Sequence, residues 1–351
     1  MRSVQIAGRT IGPEEPPFVI AELSGNHSQN LSLALAMVEA AAKSGAHAIK
    51  LQTYTADSMT LDVQSSDFVI NEKDSLWYGA SLHSLYAKAA TPYEWHEQLF
   101  KRAEELGMIA FSSPFDNDAV DFLDELNVPC FKIASFELND LPLIAYAAGK
   151  GKPLIMSTGM ASLRDIELAV ECARDAGCDD IVLLKCTSTY PANPGNTNLA
   201  TIPNMREAFG CQVGLSDHTG GIGVAVAAVA FGATVIEKHF VLDRNAGGVD
   251  AAFSLEPDEM HSLVTETERA WQGIGKVRYG GTHAEEAAKQ YRRSIYVSED
   301  IPAGEVLTAA NLKIVRPAFG LAPRHWSTVL GKRANHDIRK GTPLKWEHMK
   351  P

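Results

Sequence analysis

Residues 235–240 read VIEKHF, where Val, Ile and Phe frame an acid, an amine and an imidazole. Successive side chains of an extended segment alternate between faces, so Glu237 and His239 share one face and Lys238 takes the other. A buried strand face ordinarily carries apolar groups. A carboxylate and an imidazole side by side there point to proton transfer or metal binding. A second histidine, His218, ends another mostly apolar run, QVGLSDH at 212–218. Two imidazoles brought together can share one divalent cation and leave positions open for water and substrate. A chance pair of rim histidines is the alternative, and Glu237 favours metal or proton chemistry over it. Lys238 reads as structural, paired outside the face that does the chemistry.

Other strand-like runs carry charge in the same way. Lys50 lies in HAIKLQ (47–52) and Lys132 in CFKIAS (130–135), while Ser113, Ser135, Ser157, Ser188 and Ser216 sit near the ends of such runs. Two ammonium groups among many hydroxyls suit an anion bearing both a phosphate and a carboxylate. No Walker pattern and no G-x-G-x-x-G follows a strand, which argues against a nucleotide. A Schiff-base lysine, as in class I aldolases, is the competing role, disfavoured by the second lysine and the histidine pair. Further polar residues at these ends are Glu22, Asn26, His27, Gln52, Ser112, Glu137, Thr158, Thr187, Tyr190 and Asp217. The glycine-bearing stretch LDRNAGGVDAAFSLEP (242–257) forms a loop able to carry Asp250 over them; an exposed loop acid is the other reading.

These residues must be gathered by something. Eight β-type runs alternate with amphipathic stretches between residues 18 and 240: FVIAEL (18–23), HAIKLQ, MIAFSSP (108–114), CFKIAS, PLIMSTG (153–159), DIVLLKCTS (180–188), QVGLSDH and VIEKHF. Most begin with continuous apolar residues, as strands buried on both faces do. Stretches such as 30–46 and 162–177 read as helices that end at glycine. Eight strand–helix units predict an α/β (β/α)8 TIM barrel, with an open doubly wound sheet as the alternative. In a barrel the eight polar ends meet at one mouth. The long unit 53–93, with LWYGASLHSLYAKAATPYEW, reads as a specificity loop or a surface excursion with its own small cluster. A barrel domain over 1–275 is followed by a linker, 276–292, and a small module, 293–351. That module repeats D-I-x-x-G-x-x-L: Asp300, Ile301, Gly304 and Leu307 match Asp337, Ile338, Gly341 and Leu344, 37 positions on.

Composition narrows the partners. The 351 residues carry 43 acids against 32 bases, a formal net charge of −11. That argues against nucleic acid or an anionic membrane as partner, but not against a small anion held by local lysines. Five cysteines without metal-type spacing suit a reducing cytoplasm. The opening MRSVQIAGRT lacks the apolar core of a signal peptide. The apolar run 223–233 is too short to span a bilayer and reads as a packed helix.

The motifs AELSGNH (21–27), IKLQTY (49–54), SSPFD (112–116), KIASFE (132–137), STGM (157–160), LKCTSTYP (184–191), GLSDHT (214–219) and EKHF (237–240) resemble the sialic acid synthase family, the phosphoenolpyruvate-dependent nonulosonic acid synthases. The segment with IVRPAFGL (314–321) is similar to that family's antifreeze-like (SAF, β-clip) domain. Within the family, AELSGNH, the 76–96 segment and KIASFE look most like the pseudaminic acid synthases. The neuraminate branch typically has AEAGVNH and GSGE at the matching places.

The resemblance implies condensation of phosphoenolpyruvate with an open-chain amino-sugar aldehyde and release of phosphate. It assigns Lys50, Ser113 and Lys132 to the carboxylate of phosphoenolpyruvate. Ser135, Ser157, Ser188 and Ser216, with Lys132, fall to its phosphate; position 188 is Asn in the neuraminate branch. His218 and His239 match ligands of a divalent metal, Mn2+ or Mg2+. Glu22, Gln52, Tyr190 and Asp250 match sugar-contacting positions, and Glu22 or Glu237 is the candidate base. Arg316 matches an arginine that one subunit inserts over the other's barrel, which implies a domain-swapped homodimer. Acceptors left open are the pseudaminic acid precursor, N-acetylmannosamine and the legionaminic acid precursor. A carbohydrate-binding protein on a decayed barrel is the non-enzymatic alternative, which the intact lysines, histidines and Glu237 oppose.

Overall fold

A computed structural model describes residues 2–350 except 64, 72, 74 and 76. It divides into two compact units, Met1–Gly275 and Lys276–Pro351. The first opens with an antiparallel hairpin, β1 (Val4–Ile6) and β2 (Arg9–Ile11). This hairpin has no counterpart in the expectations above, because three-residue strands are too short to display a period. Eight parallel strands then close a barrel: β3 (Phe18–Glu22), β4 (Ala48–Thr53), β5 (Ile109–Pro114), β6 (Phe131–Ile133), β7 (Leu154–Ser157), β8 (Ile181–Cys186), β9 (Gln212–Asp217) and β10 (Val235–His239). β10 pairs back onto β3 and completes the ring. The expected (β/α)8 barrel is thus observed, and all eight apolar runs are staves.

Helices cover the outside of the sheet, and local chemistry fixes where they begin. Asn30 caps Leu31–Lys43 by accepting from the Leu33 N–H, and Ser162 caps Leu163–Asp175 in a reciprocal box with Asp165. Such caps satisfy N–H groups that the first turn leaves without partners. The apolar run near 223 forms a helix, Gly223–Ala230, packed on the barrel. Among the described residues no helix is long and apolar enough to cross a membrane.

Register brings the polar ends level. His239 lies beside Glu22 and Glu22 beside Lys50; Gln52 lies beside Ser113; Ser216 lies beside both Cys186 and Glu237.

The second unit is built on the internal repeat. β11 (Ser294–Val297) pairs antiparallel with β12 (Leu312–Val315). Ile301 and Ile338 exchange both backbone hydrogen bonds at 2.8 Å. Asp337 accepts from the Ala303 N–H and Asp300 from the Lys340 N–H, each at 2.7 Å. Gly304 and Gly341 occupy the same left-handed position at φ 82° and 85°, where a β-carbon is strained. Leu307 and Leu344 are fully buried. Each copy of the motif therefore caps the other.

Candidate active site

Charge is buried at the barrel mouth. Glu22, Lys50, Lys132 and Glu237 are each at most 4% exposed. Lys50 forms an ion pair with Glu22 and approaches Ser113 Oγ at 3.4 Å. Glu22 Oε1 accepts from Gln52 at 3.2 Å and from the Ser24 N–H at 3.0 Å. Lys132 Nζ stands 3.6 Å from Glu237 Oε1, which accepts from Ser216 Oγ at 3.2 Å. The two acids feel different surroundings. Burial raises the Glu22 carboxyl above the usual range and outweighs Lys50. Burial also pushes Glu237 up, but Lys132, Lys50 and His218 together hold it below that range. Carboxylates whose environments separate them in this way can take different roles in one reaction.

His218 and His239 face each other with ring centroids 5.3 Å apart. His218 Nδ1 lies 3.0 Å from the Thr187 carbonyl, so its proton sits there and Nε2 is left for a ligand. His239 is kept neutral by burial and by surrounding cations, and among the described residues its buried Nδ1 has no hydrogen-bond partner. A neutral imidazole with a spare buried nitrogen fits a divalent cation. Among the described residues no group of three His, Cys, Asp or Glu gathers in metal-binding geometry. Aromatic rings wall the pair: the Tyr190 ring, tilted by 51°, lies 4.5 Å from His218, and the Phe253 ring lies 5.0 Å from His239.

Hydroxyls line the other side. Ser157 Oγ is buried without a partner, free to meet an anion. Ser135 and Ser188 flank Gly159, where a β-carbon would come within 2.5 Å of Ser188 Oγ and 2.6 Å of Ser135 Cβ. Glycine there leaves the hydroxyl cradle open. Cys186 touches Ser188 and His218, and these contacts overcome burial to bring its thiol down to about 7. Asp250 does reach the mouth: its carboxylate accepts from Ser24 Oγ and lies 3.6 Å from His239 Nδ1.

The first unit thus gathers Glu22, Lys50, Gln52, Ser113, Lys132, Ser135, Ser157, Ser188, Tyr190, Ser216, His218, Glu237, His239 and Asp250. Arg316 belongs to the second unit and is exposed just past β12. Several polar strand ends face the outer layer instead. Ser112 bonds Thr53, which bonds His96 on an outer helix, and His27 bonds Thr91. Lys238 donates to Asp217 at 2.7 Å and to the Thr219 carbonyl at 2.5 Å. Residues that the sequence motifs contained without marking out are Ser24, Gly159 and Cys186. Phe253 was signalled only by its place beside Asp250. Trp77, from the long β4 loop, donates to the Val249 carbonyl at 3.2 Å and packs on Tyr190.

The NeuB family model matches residues 37–279. The chain belongs to the NeuB family. A SAF domain model matches residues 292–350, within the second unit. This NeuB-family chain is 44% identical over 328 residues to a pseudaminic acid synthase of Campylobacter jejuni, covering 93% of this chain and 95% of that protein. It is 40% identical to a pseudaminic acid synthase of Helicobacter pylori, covering 94% and 97%. In three dimensions it is similar to the N-acetylneuraminic acid synthetase of Leptospira borgpetersenii, with a TM-score of 0.73, 32% identity, and 82% and 95% of the two chains covered.

Proposed function

We propose that this protein is a pseudaminic acid synthase. It condenses phosphoenolpyruvate with 2,4-diacetamido-2,4,6-trideoxy-L-altrose and releases phosphate by C–O cleavage. The observation that carries the reading is the buried Lys50–Lys132 pair, set among serine hydroxyls and sharing the barrel mouth with the His218–His239 pair. The 44% identity to a protein of that activity supports the choice of sugar.

Lys50, Lys132 and Ser113 hold the carboxylate of phosphoenolpyruvate. Lys132 with Ser135, Ser157, Ser188 and Ser216 holds its phosphate, and the fixed donors exclude water from C3. His218 and His239 would hold a divalent cation, which supplies Lewis-acid polarisation of the sugar aldehyde. Glu22, Gln52, Tyr190 and Asp250 orient the open-chain sugar. As C3 attacks the aldehyde carbon, positive charge grows at C2, and the ionised Glu237 stabilises it. Water then adds to C2 and gives one proton to Glu22, which passes it to the alkoxide left by the aldehyde; the phosphate departs with its oxygen and the second proton, leaving the C2 ketone. We also infer that Arg316, exposed beside Val315 and Phe319, completes the barrel of a second copy in a homodimer.

The test is phosphate release from phosphoenolpyruvate with a divalent cation and each of three sugars: the altrose derivative, N-acetylmannosamine and the legionaminic acid precursor. The altrose should give the highest kcat/KM. A higher value with either other sugar overturns the acceptor, and no release with any of them overturns the enzyme. Glu22→Gln and Glu237→Gln should each lower kcat by at least about 100-fold with the fold intact. Near-normal rates in both would sink the assignment of the acids.

A further inference from the structure

Among the described residues six non-glycine positions have positive φ: Ala7, Ser24, Ser28, Gln29, Asn127 and Asn198. Five are exposed; Ser24 alone is buried. Its φ of 48° strains a β-carbon, and glycine would avoid that cost. A strained residue that is buried and polar is retained for what its groups contact. The Ser24 N–H donates to Glu22 Oε1 at 3.0 Å, and its hydroxyl donates to Asp250 Oδ2. Among the described residues this is the only hydrogen bond that the Asp250 carboxylate accepts.

The surrounding backbone supports the same link. The Asp250 N–H donates to Asn26 Oδ1 at 3.1 Å. The Asp250 carbonyl accepts from Ser254 Oγ at 2.7 Å, and Asn26 Nδ2 donates to that same oxygen at 2.9 Å. These bonds fix the main chain of the Asp250 loop against the turn Ser24–His27. They leave the direction of the carboxylate to Ser24, on a loop made pliable by Gly247 and Gly248 just before it.

We propose that Ser24 is a positioning residue that locks the Glu22 and Asp250 carboxylates into one arrangement and thereby sets affinity for the acceptor sugar. The inference rests on the placement of those two acids on the sugar side of the site. The group acts through others and touches no reacting atom. The Ser24 hydroxyl itself makes no hydrogen bond, among the described residues, to the lysines or the serine cradle that would hold phosphoenolpyruvate.

Ser24→Gly and Ser24→Ala both remove the hydroxyl, and glycine also relieves the strained backbone, so Ser24→Gly should melt above Ser24→Ala. Both should lower kcat/KM for the sugar at least about tenfold, while KM for phosphoenolpyruvate changes less than about twofold. Unchanged sugar kinetics, or equal losses for both substrates, would overturn the proposal. A cycle with Asp250→Ala adds a readout independent of turnover. The Ser24–Asp250 pair should show a coupling of about tenfold in the unfolding equilibrium constant. Additive effects within twofold overturn it. If another amino sugar proves to be the acceptor, the pseudaminic acid reading fails, and the Ser24 comparison is scored with that sugar. If none is consumed, the unfolding cycle decides.

Discussion

Lys132 and Lys238 are both essentially removed from solvent, at 2% and 0% exposure, yet burial has been solved differently for each. Lys238, on the outer face of β10, meets a carboxylate at 2.7 Å and a carbonyl at 2.5 Å. Lys132, inside the barrel, has its nearest carboxylate at 3.6 Å; burial lowers the proton affinity of both amines, so the contrast lies in their partners. The same contrast runs through the acids: Asp217 accepts from Lys238 and the Thr219 N–H, whereas among the described residues Glu237 Oε2 has no hydrogen-bond partner. A fully partnered buried ion stabilises one structure. A partly partnered one keeps capacity for something else, and perturbed, under-satisfied groups gather where ligands bind. One strand thus carries both kinds of burial on its two faces.

Lys132→Met should break function with little effect on the fold. On the proposed role of Lys132 at both anionic ends of phosphoenolpyruvate, its loss should lower kcat/KM by about 1,000-fold or more. The same change should cost less stability than Lys238→Met, because Glu237 keeps Lys50 nearby when Lys132 is gone. Phosphate release and urea unfolding, measured together, check both halves. A large stability loss would place Lys132 in the structural class and dissolve the comparison.

Lys238→Met should do the reverse. It leaves Asp217 buried without its cation, which costs about 3 kcal/mol. Turnover per folded molecule should stay within about twofold. A variant as stable as the parent but inactive would show that the outer pair serves the site.

Strand alternation already separated Glu237 and His239 from Lys238, and continuous apolar runs sufficed to count the staves. What alternation does not contain is register, and register places Ser216 beside Glu237 and His239 beside Glu22. It also leaves open which of two adjacent serines faces inward. Ser112 is taken by Thr53 on the outer side, while Ser113 remains for the mouth. Asp250 was readable as a loop acid able to arrive. Ser24, which holds it, was not, because a left-handed backbone at a serine leaves no compositional trace. Gly159 stood in a quoted motif, but its role depends on two side chains, Ser135 and Ser188, brought from other strands. Local pattern therefore revealed the staves and the chemistry-bearing types, and the convergence of distant loops accounts for the rest.

Glu137 tests the comparison most gently. It ends the turn Ser135–Glu137 after β6, partly buried, with Oε2 lacking any hydrogen-bond partner. Burial raises its carboxyl to about 7, although its own backbone N–H and Lys132 pull the other way. In the unfolded chain the group titrates near the ordinary value of about 4.3. Below that both states hold the proton, and the folded state bears no charge penalty. Between the two values the folded protein keeps a proton that the unfolded chain has lost, so stability falls as pH rises through about 7. The full shift sets a ceiling of about 4 kcal/mol, and partial solvent contact reduces this to about 2 kcal/mol. Glu137→Gln carries no titrating group, so its advantage over the parent should grow by about that amount between pH 4.5 and 7.5. Urea unfolding of both proteins across this range gives the difference directly and cancels every other titrating group. Parallel curves would mean that the charge at Glu137 is as well accommodated as that of Asp217, and the mouth would then lose one of the under-satisfied groups that set it apart from the outer face.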